Sequence, residues 1–137
     1  MNLGTPLQIR AFCNSLPRRD ISGKVRIRPR RYCFYLDNTL VTFPRVAGDY
    51  STVEPIPSMI EFLRYLKRFD HTIIIQTARR MGTFRGNVSA AVADIGRITF
   101  DTLDKFDIPY DEICFGKPLA DCYIDHLGVS AFSDPEK

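Results

Sequence analysis

Four polar side chains in this 137-residue chain stand at or just past the ends of short apolar runs: Asp37 after YCFYL, Thr77 after the isoleucines of HTIIIQT, Lys117 after EICF, and Asp125 closing CYID. Short apolar runs bounded by turn formers read as buried strands, and in open α/β sheets ligands bind beyond the carboxyl ends of the strands. An acid, a hydroxyl, an amine and a second acid are therefore expected in one crevice, a set that can exchange protons and carry charge of either sign. Arg79 and Arg80, just past Thr77, could grip a phosphate or carboxylate. Taken singly, each is an ordinary strand-end turn former or a solvated loop residue. Their order along the chain is what sets them apart.

The elements that must hold these groups are legible as well. The body is expected to begin near Arg31, with residues 32–36, aromatic and apolar on both faces, suiting a central parallel strand. The long segment FPRVAGDYSTVEPIP reads as irregular. Ser58 is placed to cap a helix whose residues Met59, Ile60, Phe62, Leu63, Leu66 and Phe69 share one broad face. A second strand ends at Thr77, ARRMGTFRGN reads as a loop, and apolar residues at near-helical spacing predict a helix from about Val88 to Phe106. EICF and CYID read as two more strands separated by the turn GKPLAD. Alternation of strand and helix predicts an α/β fold, a Rossmann-like, mostly parallel sheet flanked by helices.

Composition bounds the rest. At 45% apolar and 26% charged, the chain is an ordinary globular domain with no room for a second sizeable core. No apolar run approaches the roughly 18–20 residues of a membrane span. The cysteines, Cys13, Cys33, Cys114 and Cys122, have no CxxC spacing and only His71 and His126 beside them, so reduced thiols in an intracellular, most simply cytoplasmic, compartment are expected. Charge is uneven. Eight basic residues from Arg10 to Arg31 face Asp20 alone, a net +7 that leaves −4 for the remainder of a chain totalling +3. Residues 1–30 thus read as a basic arm on a domain spanning 31–137. The arm could contact a nucleic acid or an acidic protein partner, or be a solvated linker. Its first 19 residues lack acids and carry several arginines, weakly like a mitochondrial presequence.

Across about residues 31–129 the chain resembles the haloacid dehalogenase (HAD) superfamily of phosphohydrolases. The strand and Asp-x-Asp-x-Thr of its first motif align with Tyr35-Leu36-Asp37-Asn38-Thr39. The strand ending in Thr or Ser aligns with Thr77, the lysine with Lys117 in FGKPLAD, and the acids after the last strand with Asp125 in CYIDH. DNTLVTFP, GDYSTVEPIP, IEFLRYLKR and TARRM look more narrowly like a subgroup without a cap domain, the capsule-biosynthesis phosphatases. The resemblance implies magnesium held through Asp37 and Asp125, with Asp37 as acid and base, Thr77 and Lys117 on the transferring phosphate, and Asn38, Thr39, Arg79 and Arg80 near the substrate. It also implies an open crevice, which a partner subunit or second copy could close.

Tyr35 breaks the pattern. It occupies the position of the nucleophilic aspartate, and a phenol with an ordinary pKa near 10 brings no permanent charge to a metal and forms no acyl phosphate. His126 stands where related sequences commonly have a second acid. Two functional classes follow: a pseudoenzyme whose fold serves binding or assembly, favoured by Tyr35 and His126, or an active magnesium-dependent phosphohydrolase of a sugar phosphate or similar ester.

Overall fold

The computed structural model describes residues 28–131. Three strands, β1 (Arg31–Tyr35), β2 (Thr72–Thr77) and β3 (Glu112–Phe115), form a parallel sheet in the order β1-β2-β3. Helix α1 (Pro57–Arg68) joins β1 to β2, and α2 (Val88–Lys105) joins β2 to β3. The chain is therefore an α/β fold, a Rossmann-like parallel sheet flanked by helices. Each crossover holds one α-helix, the first also a short 3-10 helix at Tyr50–Thr52, and among the described residues no further domain stands over the strand ends.

Side-chain alternation explains the core. Tyr32, Phe34, Ile73, Ile75 and Ile113 share one face of the sheet, where Met59, Ile60, Phe62, Leu63 and Leu66 of α1 and Leu103 of α2 pack on them. Phe34 meets Phe62 edge to face with ring centroids 6.0 Å apart, a geometry aromatic pairs favour. Of the residues of opposite parity, Arg31, Cys33, Glu112 and Cys114 are exposed, and Tyr35, Thr72, Ile74 and Gln76 are half-buried.

Three expectations need correction. Ser58 does not cap α1: Ile56 is the N-cap, without a side-chain bond, and Pro57 takes the first helical position. Proline suits that position because its missing N–H would have no helical partner. Next, β1 is an edge of the sheet among the described residues, with β2 central. Finally, residues 122–125 form no fourth strand. A parallel neighbour requires a crossover of about a dozen residues, whereas six, Gly116 to Asp121, separate Phe115 from Cys122. Consequently Ile124 is 94% exposed and Leu127 76% exposed.

Most of the arm, Cys13 and the presequence-like stretch lie outside the described residues. Where the arm enters, Arg30 donates its N–H to His71 Nδ1 at 2.9 Å and its carbonyl accepts from Thr72 N–H at 2.9 Å. Among the described residues no helix is long and apolar enough to cross a membrane.

Candidate functional site

Leu36 extends the pairing of β1 by donating to the Gln76 carbonyl, and its own carbonyl accepts from Thr39, Leu40 and Val41 in a tight turn. Asn38 sits within that turn at φ 57°, a left-handed conformation that asparagine tolerates better than most residues. The turn points Asp37 inward, leaving it 9% exposed. From the end of β2, Thr77 Oγ1 accepts from Arg79 N–H at 3.0 Å, which folds Arg79 back over the sheet.

Arg79 and Asp37 are the centre of the site. Arg79 Nε lies 2.9 Å from Asp37 Oδ2, and Nη2 lies 2.8 Å from Oδ1. The remaining guanidinium nitrogen, Nη1, donates to Thr99 Oγ1 at 3.1 Å, and Thr99 in turn donates to the Ile95 carbonyl. The ring of Tyr50 covers the cation, with its centroid 4.3 Å from Cζ. Arg79 is only 2% exposed. A charge taken out of water needs a partner of good geometry, and a planar fork facing a carboxylate supplies one.

A second group lies beside it. Lys117 continues β3 by donating its N–H to the Thr77 carbonyl at 3.1 Å. Its Nζ lies 4.3 Å from the centroid of Tyr35 and 4.0 Å from that of Tyr123, an ammonium between two aromatic faces. Burial lowers the pKa of Lys117. It raises that of Tyr35, as does the negative charge of Asp37, so the phenol is neutral near pH 7. Gly116 delivers this lysine: its φ is +91°, and a Cβ there would meet Val88 Cγ2 at 2.7 Å, so a side chain is both strained and crowded.

The structure thus gathers Asp37, Thr77 and Arg79 in one buried cluster, and brings Tyr35 and Lys117, both half-buried, together beside it. Arg80 turns away to pair with Asp94 at 2.9 Å and to donate to the Gly48 carbonyl. Asn38 is exposed and Thr39 half-buried. Asp125 lies on an exposed turn, where its Oδ1 accepts from Leu127 N–H at 2.9 Å and stands 3.4 Å from His126 Nδ1. Asp37, Thr77 and Arg79 are buried. These residues do not fit a magnesium ion in this arrangement. Asp37 is occupied by a guanidinium, and no group of three or more His, Cys, Asp or Glu side chains is gathered among the described residues, where magnesium calls for several oxygen ligands.

Sequence reasoning missed Tyr50, Thr99 and Tyr123. Thr99 alone carried a signal, as a polar residue on the apolar face of a predicted helix.

Fold and site together define an α/β domain whose strand-end acid and amine are both engaged by neighbouring side chains. Among solved structures, a Vibrio cholerae protein whose crystal structure was determined as an MCSG target is similar at 35% sequence identity and a TM-score of 0.69, over 78% of this chain and 91% of that one. The chain belongs to the family of that protein. No family model and no curated protein matches it.

Proposed function

We propose that this chain keeps the scaffold of a capless HAD phosphatase, has lost ordinary phosphatase turnover, and serves in binding or assembly. The observation that carries the reading is the double engagement of the site. Arg79 holds both carboxylate oxygens of Asp37, and the ring of Tyr35 covers Lys117. An acid–base carboxylate tied to a buried guanidinium is unavailable to shuttle protons, and a lysine between two rings has little room to meet phosphate oxygens. Tyr35 itself offers neither the charge nor the carboxylate that a covalent phosphoryl intermediate requires. The alternative, an active magnesium-dependent phosphohydrolase, needs both engagements to break.

The reversion Tyr35→Asp tests this reading. Restoring the carboxylate leaves Arg79 on Asp37 and His126 in place, so no magnesium-dependent hydrolysis of a general aryl phosphate is expected from the single variant. Hydrolysis that appears in Tyr35→Asp and disappears when Lys117→Ala is added would mean that the site is still an enzyme's, one residue from turnover.

A further inference from the structure

The two rings that flank Lys117 are held in unlike ways. Tyr35 belongs to β1 and packs against both hydrophobic clusters of the domain, so it is a fixed wall. Tyr123 lies in the irregular stretch after β3, where residues 118–130 are exposed, and is itself 46% exposed. Its hydroxyl donates to the Pro118 carbonyl and accepts from Ala120 N–H at 3.2 Å. Residues 118–123 are thereby closed into a small loop by the same side chain that reaches the lysine. The loop also touches the body at Leu119, whose Cδ2 would stand 3.0 Å from a Cβ on Gly82.

Lys117 is the unusual group beneath this loop. An ammonium offers only donors, yet among the described residues no carboxylate or carbonyl bonds to Nζ. The cation meets ring faces instead, Tyr35 at 4.3 Å and Tyr123 at 4.0 Å. A ring face attracts a cation, but a charge-assisted hydrogen bond to an anionic oxygen is the stronger contact. Of the two rings, only Tyr123 can move aside without opening the core.

We propose that residues 118–123 are an internal cover, with Tyr123 closed on Lys117 in the resting chain and displaced when an oxyanion, a phosphate or carboxylate group, pairs with Nζ. This is a regulation of the same site, and it rests on the reading of that site as one that binds without turnover. A ligand that must first displace a contact binds more weakly by the fraction of chains in which the contact is open. At partial exposure a cation–ring contact is worth a factor of about two to five, so the cover tunes affinity and does not abolish binding.

Nuclear magnetic resonance of the full chain with carbon-13-labelled lysine tests this at the atoms concerned. The Lys117 signal is assigned by its loss in Lys117→Arg, and its ε-methylene protons report the currents of both rings. Tyr123→Ala, a change at a position outside both hydrophobic clusters, should move that signal toward those of the other lysines. In titrations with inorganic phosphate and, separately, with acetate, the Kd read at Lys117 should be about two- to fivefold lower in Tyr123→Ala than in the unsubstituted chain. That difference with phosphate alone would assign a phosphate group as the displacing ligand, and with both anions any oxyanion; either supports the cover. A Lys117 signal unmoved by Tyr123→Ala, equal Kd values, or no response to either anion in both proteins would overturn the proposal and leave the loss of turnover untouched. Magnesium-dependent hydrolysis gained by Tyr123→Ala would instead count for the cover and against that loss.

Discussion

Arg79 is the residue on which the site turns. In the sequence it is a loop arginine, and loop arginines are mostly solvated. In the fold it is buried with its guanidinium shared among Asp37, Thr99 and the ring of Tyr50. Truncation in Arg79→Ala would strand a buried carboxylate, so a loss of about 3–5 kcal/mol of stability is expected, measured as a lower urea midpoint. Joint replacement of Asp37 and Arg79 by apolar residues of similar size should cost less than Arg79→Ala alone, because no buried charge is left without a partner. Equal losses would show that the pair does not act as a unit. The residue types at Asp37, Thr77 and Lys117 were legible because strand ends in an α/β sheet are where polar groups gather. Their partners were not, because a contact between residues 42 positions apart, as between Asp37 and Arg79, leaves no local periodicity.

At the scale of elements, β-branched and aromatic runs revealed β1, β2 and β3, and apolar stripes revealed α1 and α2, since each is a local pattern. The strand expected at 122–125 failed because pairing depends on crossover length as well as on apolar character. The junction between α1 and β2 carries a consequence for pH. His71, 3% exposed, accepts from Arg30 N–H through Nδ1 and meets Tyr32 edge on. Burial, and then the charge of Arg30, lower its pKa from the ordinary 6.5. The unfolded chain therefore takes up the proton more readily than the folded one. This histidine's contribution to stability is full above the unfolded pKa of about 6.5 and is lost as pH falls below it toward the folded value. Urea midpoints at about pH 7.5 and pH 5.5 should differ more in the unsubstituted chain than in His71→Gln, which cannot titrate there. Equal differences would remove His71 from the account.

For the whole molecule, the main asymmetry is electrostatic. The net +7 of residues 10–31 stands against −4 elsewhere, although Arg31 spends its charge on Glu112. If the arm binds a polyanion, the logarithm of affinity should fall linearly with the logarithm of salt, by about 0.9 per phosphate neutralised on duplex DNA. Charge reversal at Arg26, Arg28 and Arg30 together should then flatten that slope by about 2–3. A slope that is absent, or insensitive to those changes, would leave the arm without a polyanion-binding role. This charge is plain in the sequence because it needs no fold to be counted.

We propose that ordinary phosphatase turnover is lost because Arg79 occupies Asp37 and Tyr35 covers Lys117. It is tested most directly by turnover of a general aryl phosphate by the purified full chain in millimolar magnesium, with Lys117→Ala measured in parallel. The account predicts no hydrolysis above that of the Lys117→Ala protein. Sustained, magnesium-dependent hydrolysis by the unsubstituted chain that is abolished in Lys117→Ala would contradict it.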